Sequence, residues 1–247
     1  HKGQYQKLCN IIAENNCSTT LDIRREFARD AFGISSNYDS AIFNWFDNNQ
    51  MSELKLSQRE FSPLRYGENP HQQAKFFGNF DEMFQKLHGK EVSYNNILDI
   101  EAGIGLIREF DDTTVAILKH NNACGIATRP TLLQAWKDAL ACDPVSAYGG
   151  IIVSNRPIEH EVAQEINKIF FEVIIAPDFT KEALEILEQK KNRIILVQKH
   201  NVAPRHVLRS ALNGVLVQER DVYVESVADL KYVTNAKPTD AQINDLF

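Results

Sequence analysis

Hydrophobic positions recur at helical spacing through the first fifty residues. They predict three helices: one over residues 4–16, one that begins after Thr19 or Thr20 and ends at Gly33, and one that begins at Ser35 or Ser36 and carries Trp45. The polar stretch over residues 47–53 follows, and we take it as a domain boundary. The chain is therefore expected to divide into a helical segment, 1–52, and a larger segment, 53–247.

Beyond the boundary the pattern changes to short apolar runs that alternate with longer amphipathic ones. The runs rich in β-branched residues have the length and the Gly or Pro flanks of buried strands. Strands are predicted at 114–118, 150–154, 172–176, 193–197 and 214–218, and helices at 97–109, 130–141, 158–170 and 180–190. Such alternation predicts an α/β fold with right-handed crossovers and a largely parallel sheet that is covered on both faces.

Composition narrows the functional classes. The 247 residues are 43% hydrophobic and 24% charged, as in an ordinary globular protein, and the net charge of -6 argues against a general nucleic-acid binder. No apolar run approaches the ~20 residues of a membrane span, and the first residues have no signal-peptide pattern. The four cysteines show neither a C-x-x-C pair nor metal-ligand spacing. We expect reduced thiols, no metal site and a cytoplasmic protein.

The densest group of polar functional residues follows the predicted strand at 114–118. The segment 119–125 presents Lys119, His120 and two amides, which core packing does not require. Since ligands bind outside the carboxyl ends of strands in open α/β sheets, a site is expected here. The ammonium of Lys119 disfavours a charged imidazole, so His120 is expected to be a neutral base, and Lys119 can stabilise an oxyanion. A solvated turn is the simpler alternative. Cys124 paired with His120 as a nucleophile is another, although no third orienting residue is evident.

Three further motifs carry residues that could bind a ligand. Arg65 and Tyr66 lie in a predicted loop, because Gly67 would break a helix here. The guanidinium of Arg65 suits a phosphate or a carboxylate, and a surface ion pair is the simpler alternative. Gly149, in the turn before the strand at 150–154, permits close approach of a ligand or serves only the turn. Glu172 opens a buried strand, where its carboxylate either pairs with a base or binds ligand donors such as ribose hydroxyls.

Taken together, these motifs resemble a family of bifunctional purine biosynthesis enzymes that join an IMP cyclohydrolase domain to an AICAR transformylase domain. The segments that carry the resemblance occur in the order of the family: 65–72, 93–96, 119–122, 146–150, 172–177 and 209–218. Residues 1–46 resemble the last helices of the cyclohydrolase domain. The fold that the resemblance implies for the larger segment is cytidine-deaminase-like, without zinc ligands.

The resemblance implies formyl transfer from 10-formyltetrahydrofolate, as co-substrate, to the 5-amino group of AICAR, with no metal. By the same resemblance, His120 accepts the proton of the attacking amine, and Lys119 supports the formyl oxyanion and helps to protonate the departing folate nitrogen. Arg65 and Tyr66 hold the phosphate end of AICAR, and the remaining contacts come from Asn96, Gly149 and Glu172. The family also implies a homodimer, with no nucleic-acid or membrane partner.

The chain departs from the family pattern in three ways. Ala123 stands where the family usually has proline, which removes no functional group. The resemblance also implies that parts of both domains lie outside this sequence, an N-terminal part of the cyclohydrolase and a C-terminal part of the transformylase. We therefore expect no cyclohydrolase activity from this piece. Two alternatives remain: a piece that binds the nucleotide without turnover, and a zinc deaminase, for which the H-x-E and P-C-x-x-C signatures are missing.

Overall fold

Most elements of the structure begin and end near the places that the hydrophobic pattern predicts. The computed structural model describes residues 2–48, 50–200 and 203–246. The chain divides into two compact units, His1–Asn201 and Val202–Phe247. Among the described residues, no helix combines the length and the apolar character needed to cross a bilayer.

The described residues contain these α-helices: α1 Tyr5–Glu14, α2 Leu21–Asp47, α3 Phe80–Met83, α4 Tyr94–Ile107, α5 Leu132–Cys142, α6 His160–Ile166, α7 Lys181–Leu187 and α8 Asp240–Leu246. Short 3-10 turns lie at Lys2–Gln4 and Val227–Asp229. Four helices of the first unit begin at a Ser or Thr whose hydroxyl accepts a backbone N–H three residues on, namely Thr20, Ser93, Thr131 and Thr180.

The strands are β1 Ser62–Leu64, β2 Ala74–Phe76, β3 Phe84–His88, β4 Thr114–Lys119, β5 Asn122–Thr128, β6 Ile151–Ser154, β7 Val173–Ala176, β8 Ile194–Gln198, β9 His206–Ala211 and β10 Gly214–Glu219. The predicted strands at 114–118, 150–154, 172–176 and 193–197 correspond to β4, β6, β7 and β8. The strands that the sequence did not reveal are β1, β2, β3, β5 and β9.

The prediction that a helix ends at Gly33 is wrong. Helix α2 continues from Leu21 to Asp47, because the single glycine costs it only about 1 kcal/mol relative to alanine. The hydroxyls of Ser35 and Ser36 donate to the carbonyls of Phe32 and Gly33 inside the helix instead of starting a new one. No residue of α1 or α2 is buried.

Six strands of the first unit form one mixed sheet in the order β3-β8-β7-β6-β4-β5. The three central strands β6, β7 and β8 are parallel, as expected. The remaining pairings, β3 with β8 and β4 with both β6 and β5, are antiparallel. The predicted parallel arrangement therefore holds at the centre of the sheet and not at its two sides. On one side β4 forms a hairpin with β5, and on the other β3 pairs antiparallel with β8.

Alternating side chains of the buried strands build two hydrophobic cores, one on each face of the sheet. Ile117, Ile152 and Ile174 pack with residues of α5, α6 and α7 on one face. Leu118, Ile151 and Val173 pack with α4 on the other. The prediction that both faces of the sheet are covered is confirmed.

The second unit contains an antiparallel hairpin of β9 and β10, in which Gly214 pairs with Ala211. The predicted strand at 214–218 is β10, so its partner is β9 and not a strand of the central sheet. The unit ends in α8 within the described residues.

Candidate functional site

Strand register brings residues of four segments to one edge of the central sheet, among them the candidates Lys119 and Glu172. Leu118 pairs with Ile151, Ile151 with Val173, and Val173 with Ile194. The residues one step beyond this row lie along the same edge, and they are Lys119, Gly150, Glu172 and Arg193. Segments that are far apart in the sequence therefore contribute to one polar edge.

This edge is the carboxyl end of β4 and the amino end of β6, β7 and β8. The expectation of a site beyond β4 agrees with this position. However, the general rule for parallel sheets, which places ligands at the carboxyl ends, points to the opposite edge for the three parallel strands. The difference arises because β4 runs antiparallel to β6.

His120 lies at the tip of the hairpin between β4 and β5. Both residues of its turn have left-handed backbone, with φ of 54° at His120 and 63° at Asn121. This backbone is the one that two-residue hairpin turns require, and asparagine tolerates it better than most residues. Asn122 Nδ2 donates to the His120 carbonyl oxygen at 2.7 Å, and the imidazole is exposed. The turn thus presents His120 to solvent at the polar edge.

Lys119 is half-buried, and its ammonium points along the edge toward the segment before β6. Its Nζ donates to the carbonyl oxygen of Tyr148 at 2.8 Å. The next residue, Gly149, has a φ of +79°, and its N–H donates to the Phe170 carbonyl oxygen at 2.8 Å. A Cβ at Gly149 would lie at an ordinary contact distance of 4.0 Å from Lys119 Nζ, so the positive φ and not crowding favours glycine here.

Asn96 is buried in the first turn of α4, where it forms a capping box with Ser93. Its Oδ1 accepts the Ser93 N–H at 3.1 Å, while the Ser93 hydroxyl accepts the Asn96 N–H at 3.1 Å. The Oδ1 of Asn96 is therefore used by its own helix. The neighbouring Asn95 Nδ2 donates to the carbonyl oxygen of Glu68 at 3.5 Å, which ties the loop at 65–72 to this helix.

Arg65 is exposed in a loop that a backbone hydrogen bond closes, from the Gly67 N–H to the Gln72 carbonyl oxygen at 2.8 Å. Its guanidinium lies 5.2 Å from the centroid of the Tyr66 ring, within the range of a cation–π contact. Arg65 also lines a cleft of about 490 Å³ together with Phe61 and Lys86.

Glu172 forms an ion pair with Lys90. Of the two alternatives for this carboxylate, a base partner or ligand donors, the structure therefore shows the base partner. Lys90 comes from the segment after β3, and nothing in its sequence context indicated this contact. The side chain of Glu172 is 30% exposed, so it remains open to solvent beside the pair.

The candidate residues share their edge with a buried arginine. Arg193 is 3% exposed, and its Nη1 donates to Asn167 Oδ1 and to the Leu187 carbonyl oxygen, both at 2.9 Å. The guanidinium stacks 4.1 Å from the centroid of Phe171. Burial lowers the pKa of Arg193 to about 10. Sequence analysis missed this residue.

All 247 residues match the family described as AICARFT/IMPCHase bienzyme. The chain belongs to this family. It is 56% identical over 245 residues to the bifunctional purine biosynthesis protein PurH of Bacteroides thetaiotaomicron, covering 99% of this chain and 48% of that protein. The PurH proteins of Rhodospirillum rubrum and Chloroflexus aurantiacus are 43% and 45% identical, over 98% and 90% of this chain and 48% and 44% of theirs. The chain thus spans about half the length of these relatives.

In this member of the AICARFT/IMPCHase family, Cys124 does not have the surroundings of a nucleophile. It is half-buried and packs against the core beneath α5. Burial raises the pKa of its thiol, with a smaller contribution from Asp143 in the same direction, while Lys119 opposes the shift. A catalytic cysteine needs the reverse, a thiolate favoured by its neighbours.

Polar contacts connect the sequence motifs into one continuous site. Asp99 Oδ1 accepts the Asn121 N–H at 2.7 Å, which joins α4 to the hairpin turn. The Glu172 N–H donates to the Gly150 carbonyl oxygen at 2.9 Å, which joins the starts of β6 and β7. Together with the contacts of Asn95 and Lys119, these bonds link five family segments, namely 65–72, 93–96, 119–122, 146–150 and 172–177. The segment 209–218 belongs to the second unit. Within the described ranges, no group of three or more His, Cys, Asp and Glu side chains has the geometry to hold a metal ion.

Proposed function

We propose that this chain carries the AICAR transformylase site of a bifunctional purine biosynthesis enzyme, which transfers a formyl group from 10-formyltetrahydrofolate to the 5-amino group of AICAR. The whole protein also has an IMP cyclohydrolase activity. The observation that supports this proposal is that polar contacts link five of the family segments around an exposed imidazole and an adjacent ammonium at one sheet edge.

His120 is the general base of this reaction. Its ring is exposed at the tip of a turn that is held from both sides, by Asp99 on Asn121 and by Asn122 on its own carbonyl. As the amine attacks the formyl carbon, a C–N bond forms and the imidazole accepts the proton of the amine. General acid–base catalysis of this kind contributes ~10²–10⁴-fold to a rate.

Lys119 stabilises the negative charge that develops on the formyl oxygen and helps to protonate the departing folate nitrogen. Its ammonium is held at the site by the carbonyl of Tyr148, a neutral partner that leaves the positive charge uncompensated. A positive charge fixed in advance is most effective where transition-state charge develops.

The nucleotide is held by residues on either side of this pair. Arg65 and Tyr66 take the phosphate of AICAR, to which a guanidinium can donate two parallel hydrogen bonds. Glu172 accepts from the ribose hydroxyls, with Lys90 as an ion-pair partner that holds the carboxylate in place. Asn96 and Gly149 contact the substrate, Asn96 through its amide nitrogen because its Oδ1 caps α4.

The remaining parts of the proposal concern the whole protein. The reaction needs no metal and uses 10-formyltetrahydrofolate as its co-substrate. Residues 1–52 belong to the cyclohydrolase domain and 53–247 to a transformylase domain of cytidine-deaminase-like fold, which agrees with the lack of buried residues in α1 and α2. The protein acts in the cytoplasm as a homodimer, without nucleic-acid or membrane partners.

The replacement His120→Ala in the intact protein tests the proposal. We expect formyl transfer to fall by ~10²–10⁴-fold while the affinity for AICAR, measured by calorimetry, changes only a few-fold. His160→Ala is the matched control, since His160 is an exposed histidine of α6 and contacts Gln164. If His120→Ala retains nearly normal turnover, His120 is not the general base.

Arg65→Ala tests the binding half of the proposal separately. It removes a charge-assisted contact to phosphate, so AICAR affinity should fall by about tenfold or more, with a much smaller loss for the riboside that lacks phosphate. Equal losses for nucleotide and riboside would contradict the assignment of Arg65.

A second candidate function is nucleotide binding without turnover by this chain on its own. It is favoured by the fact that the chain spans about half the length of its curated relatives. Calorimetry with AICAR, combined with an assay of formyl transfer on the same sample, separates the two functions.

A further inference from the structure

A second cleft lies at the opposite edge of the central sheet, where the three parallel strands end. The carboxyl-terminal residues of β6 and β8, Ser154 and Gln198, and Pro177 just after β7 line a cavity of about 300 Å³. This edge is the one at which open α/β sheets usually bind their ligands, and no step of the proposed transfer uses it.

The cleft is cationic although the protein is anionic as a whole. Arg108, Arg156, Lys199 and His200 line it, and Asp111 is the one carboxylate among the described lining residues. The net charge of the chain is -6, so this local excess of positive charge opposes the general trend. A cleft lined by charge of one sign concentrates ions of the opposite sign.

Two of the cations are held in place by neutral groups. Arg156 Nη1 donates to the Asn155 carbonyl oxygen at 3.1 Å, and Nη2 to the Asp111 carbonyl oxygen at 2.7 Å. Lys199 Nζ donates to the Asp81 carbonyl oxygen at 2.7 Å. Within the described part of the chain, neither side chain has a carboxylate partner, so both positions are fixed while their charges remain uncompensated.

The surroundings of these cations are rigid and in part apolar. Asn155 Nδ2 donates to the carbonyls of Phe110 and Asp112, which fastens the loop after α4 to the end of β6. Ile107 and Phe110 supply an apolar wall. The carbonyls at the carboxyl end of α4 disfavour an anion nearby, but those of Leu106 and Ile107 already accept the N–H groups of Glu109 and Phe110.

We propose that this cleft is a binding site for a small phosphate-bearing ligand. Arg156 and Lys199 bind the phosphate, and the wall of Ile107 and Phe110 receives an apolar portion of the same molecule. Phosphate is favoured over a carboxylate because its several oxygens can accept from both cations at once. The volume suits a compact metabolite and lies at the lower end of the range for ligand sites.

Calorimetric titration of the intact protein with inorganic phosphate, at constant ionic strength in chloride, tests this proposal. Lys199→Gln and the double variant Arg156→Gln/Lys199→Gln should raise the Kd for phosphate by about tenfold or more, because each change removes a charge-assisted hydrogen bond. Lys199→Arg should stay within about threefold of the wild type, since it retains the charge. Lys181→Gln, at an exposed position of α7, is the control for the change in net charge.

Several results would overturn the proposal. One is the absence of saturable phosphate binding, and another is binding that Lys199→Gln leaves unchanged. Loss of phosphate binding in Arg65→Ala would instead place the anion at the nucleotide site. Binding of succinate without phosphate would reject the ligand class. Because Arg156 also fastens a loop, circular dichroism checks its folding, and the single variant Lys199→Gln keeps the test decisive.

Discussion

Asp99 Oδ1 accepts a 2.7 Å hydrogen bond from the backbone N–H of Asn121, the residue that follows His120 in the hairpin turn. Asp99 lies in α4, 22 positions earlier in the chain, and does not belong to any of the motifs that the sequence singled out. The bond couples a helix on one face of the sheet to the turn that presents the proposed base. It makes Asp99 a positioning residue for His120.

Asp99→Ala should lower kcat for formyl transfer by about tenfold, since a hydrogen bond to a charged group is worth ~1.5–3 kcal/mol and part of that loss appears as misplacement of the turn. Asp99→Asn keeps an acceptor oxygen and should recover most of the rate. The measurement is steady-state kinetics with both substrates varied. A merely structural role would instead reduce stability in both variants and leave kcat per folded molecule unchanged.

Gly125→Ala should destabilise the protein by about 1–3 kcal/mol or more, because an added Cβ would lie 1.9 Å from the Ala139 carbonyl oxygen of α5. Gly105→Ala is the matched control, since that helical position of α4 has no atom within 4 Å of the added Cβ. There, alanine should stabilise by about 0.5–1 kcal/mol. Urea unfolding of both variants measures the difference, and equal effects would contradict the close packing of β5 on α5.

Arg193→Ala should cost about 2–4 kcal/mol, because it removes buried packing and leaves Asn167 Oδ1 and the Leu187 carbonyl without their donor. Arg193→Met should cost clearly less. It preserves most of the contact with Phe171 and removes a buried guanidinium whose Nε–H lacks an acceptor among the described residues. Free energies of unfolding from urea titrations decide the matter. If both variants lose the same amount, the hydrogen bonds dominate and the packing argument is wrong.

Ser146→Ala should raise the pKa of Asp143 toward its ordinary value. In the folded protein, hydrogen bonds from the side chain and the N–H of Ser146 lower the pKa of Asp143. A carboxylate whose folded pKa is depressed adds stability above its unfolded pKa of about 3.9, and this stability is lost as the pH falls through the folded value. Carboxyl NMR titration measures the pKa directly. The acid limb of the unfolding curve should move to higher pH in the variant, and an unmoved pKa would contradict the assigned hydrogen bonds.

The buried strands were predictable because their sequences leave few alternatives. The runs that form β4, β6 and β7 are short, apolar and rich in β-branched residues, and they are buried on both faces of the sheet. Their ends agree with the predicted ends to within one residue. The mistaken helix end at Gly33 shows the limit of local signals, since one glycine is tolerated within a long helix.

Strand β5 was not predicted because it contains small residues and Gly125, and small residues and glycine do not favour strands. They are small because β5 packs closely against α5, which passes directly over Gly125. With β5 unrecognised, the hairpin and the antiparallel direction of β4 could not be foreseen.

The candidate site was predictable in its residue types and not in its contacts. Lys119 and His120 stand out locally as polar residues after a buried strand. Tyr148, which binds Lys119, and Asp99, which binds the Asn121 N–H beside His120, lie tens of residues away in the sequence. The same holds for Lys90, the ion-pair partner of Glu172. Such pairings join segments that are distant in the sequence, and no local pattern of residues indicates which segments will meet.

The left-handed backbone at His120 and Asn121 has a consequence for engineering this protein. Asparagine followed by glycine would relax that turn and should make the protein more heat-resistant, yet it would remove the imidazole on which the proposed chemistry depends. Selection for heat resistance alone would therefore favour replacing His120 and Asn121, at the expense of the proposed activity. Attempts to stabilise the protein should leave these two residues unchanged.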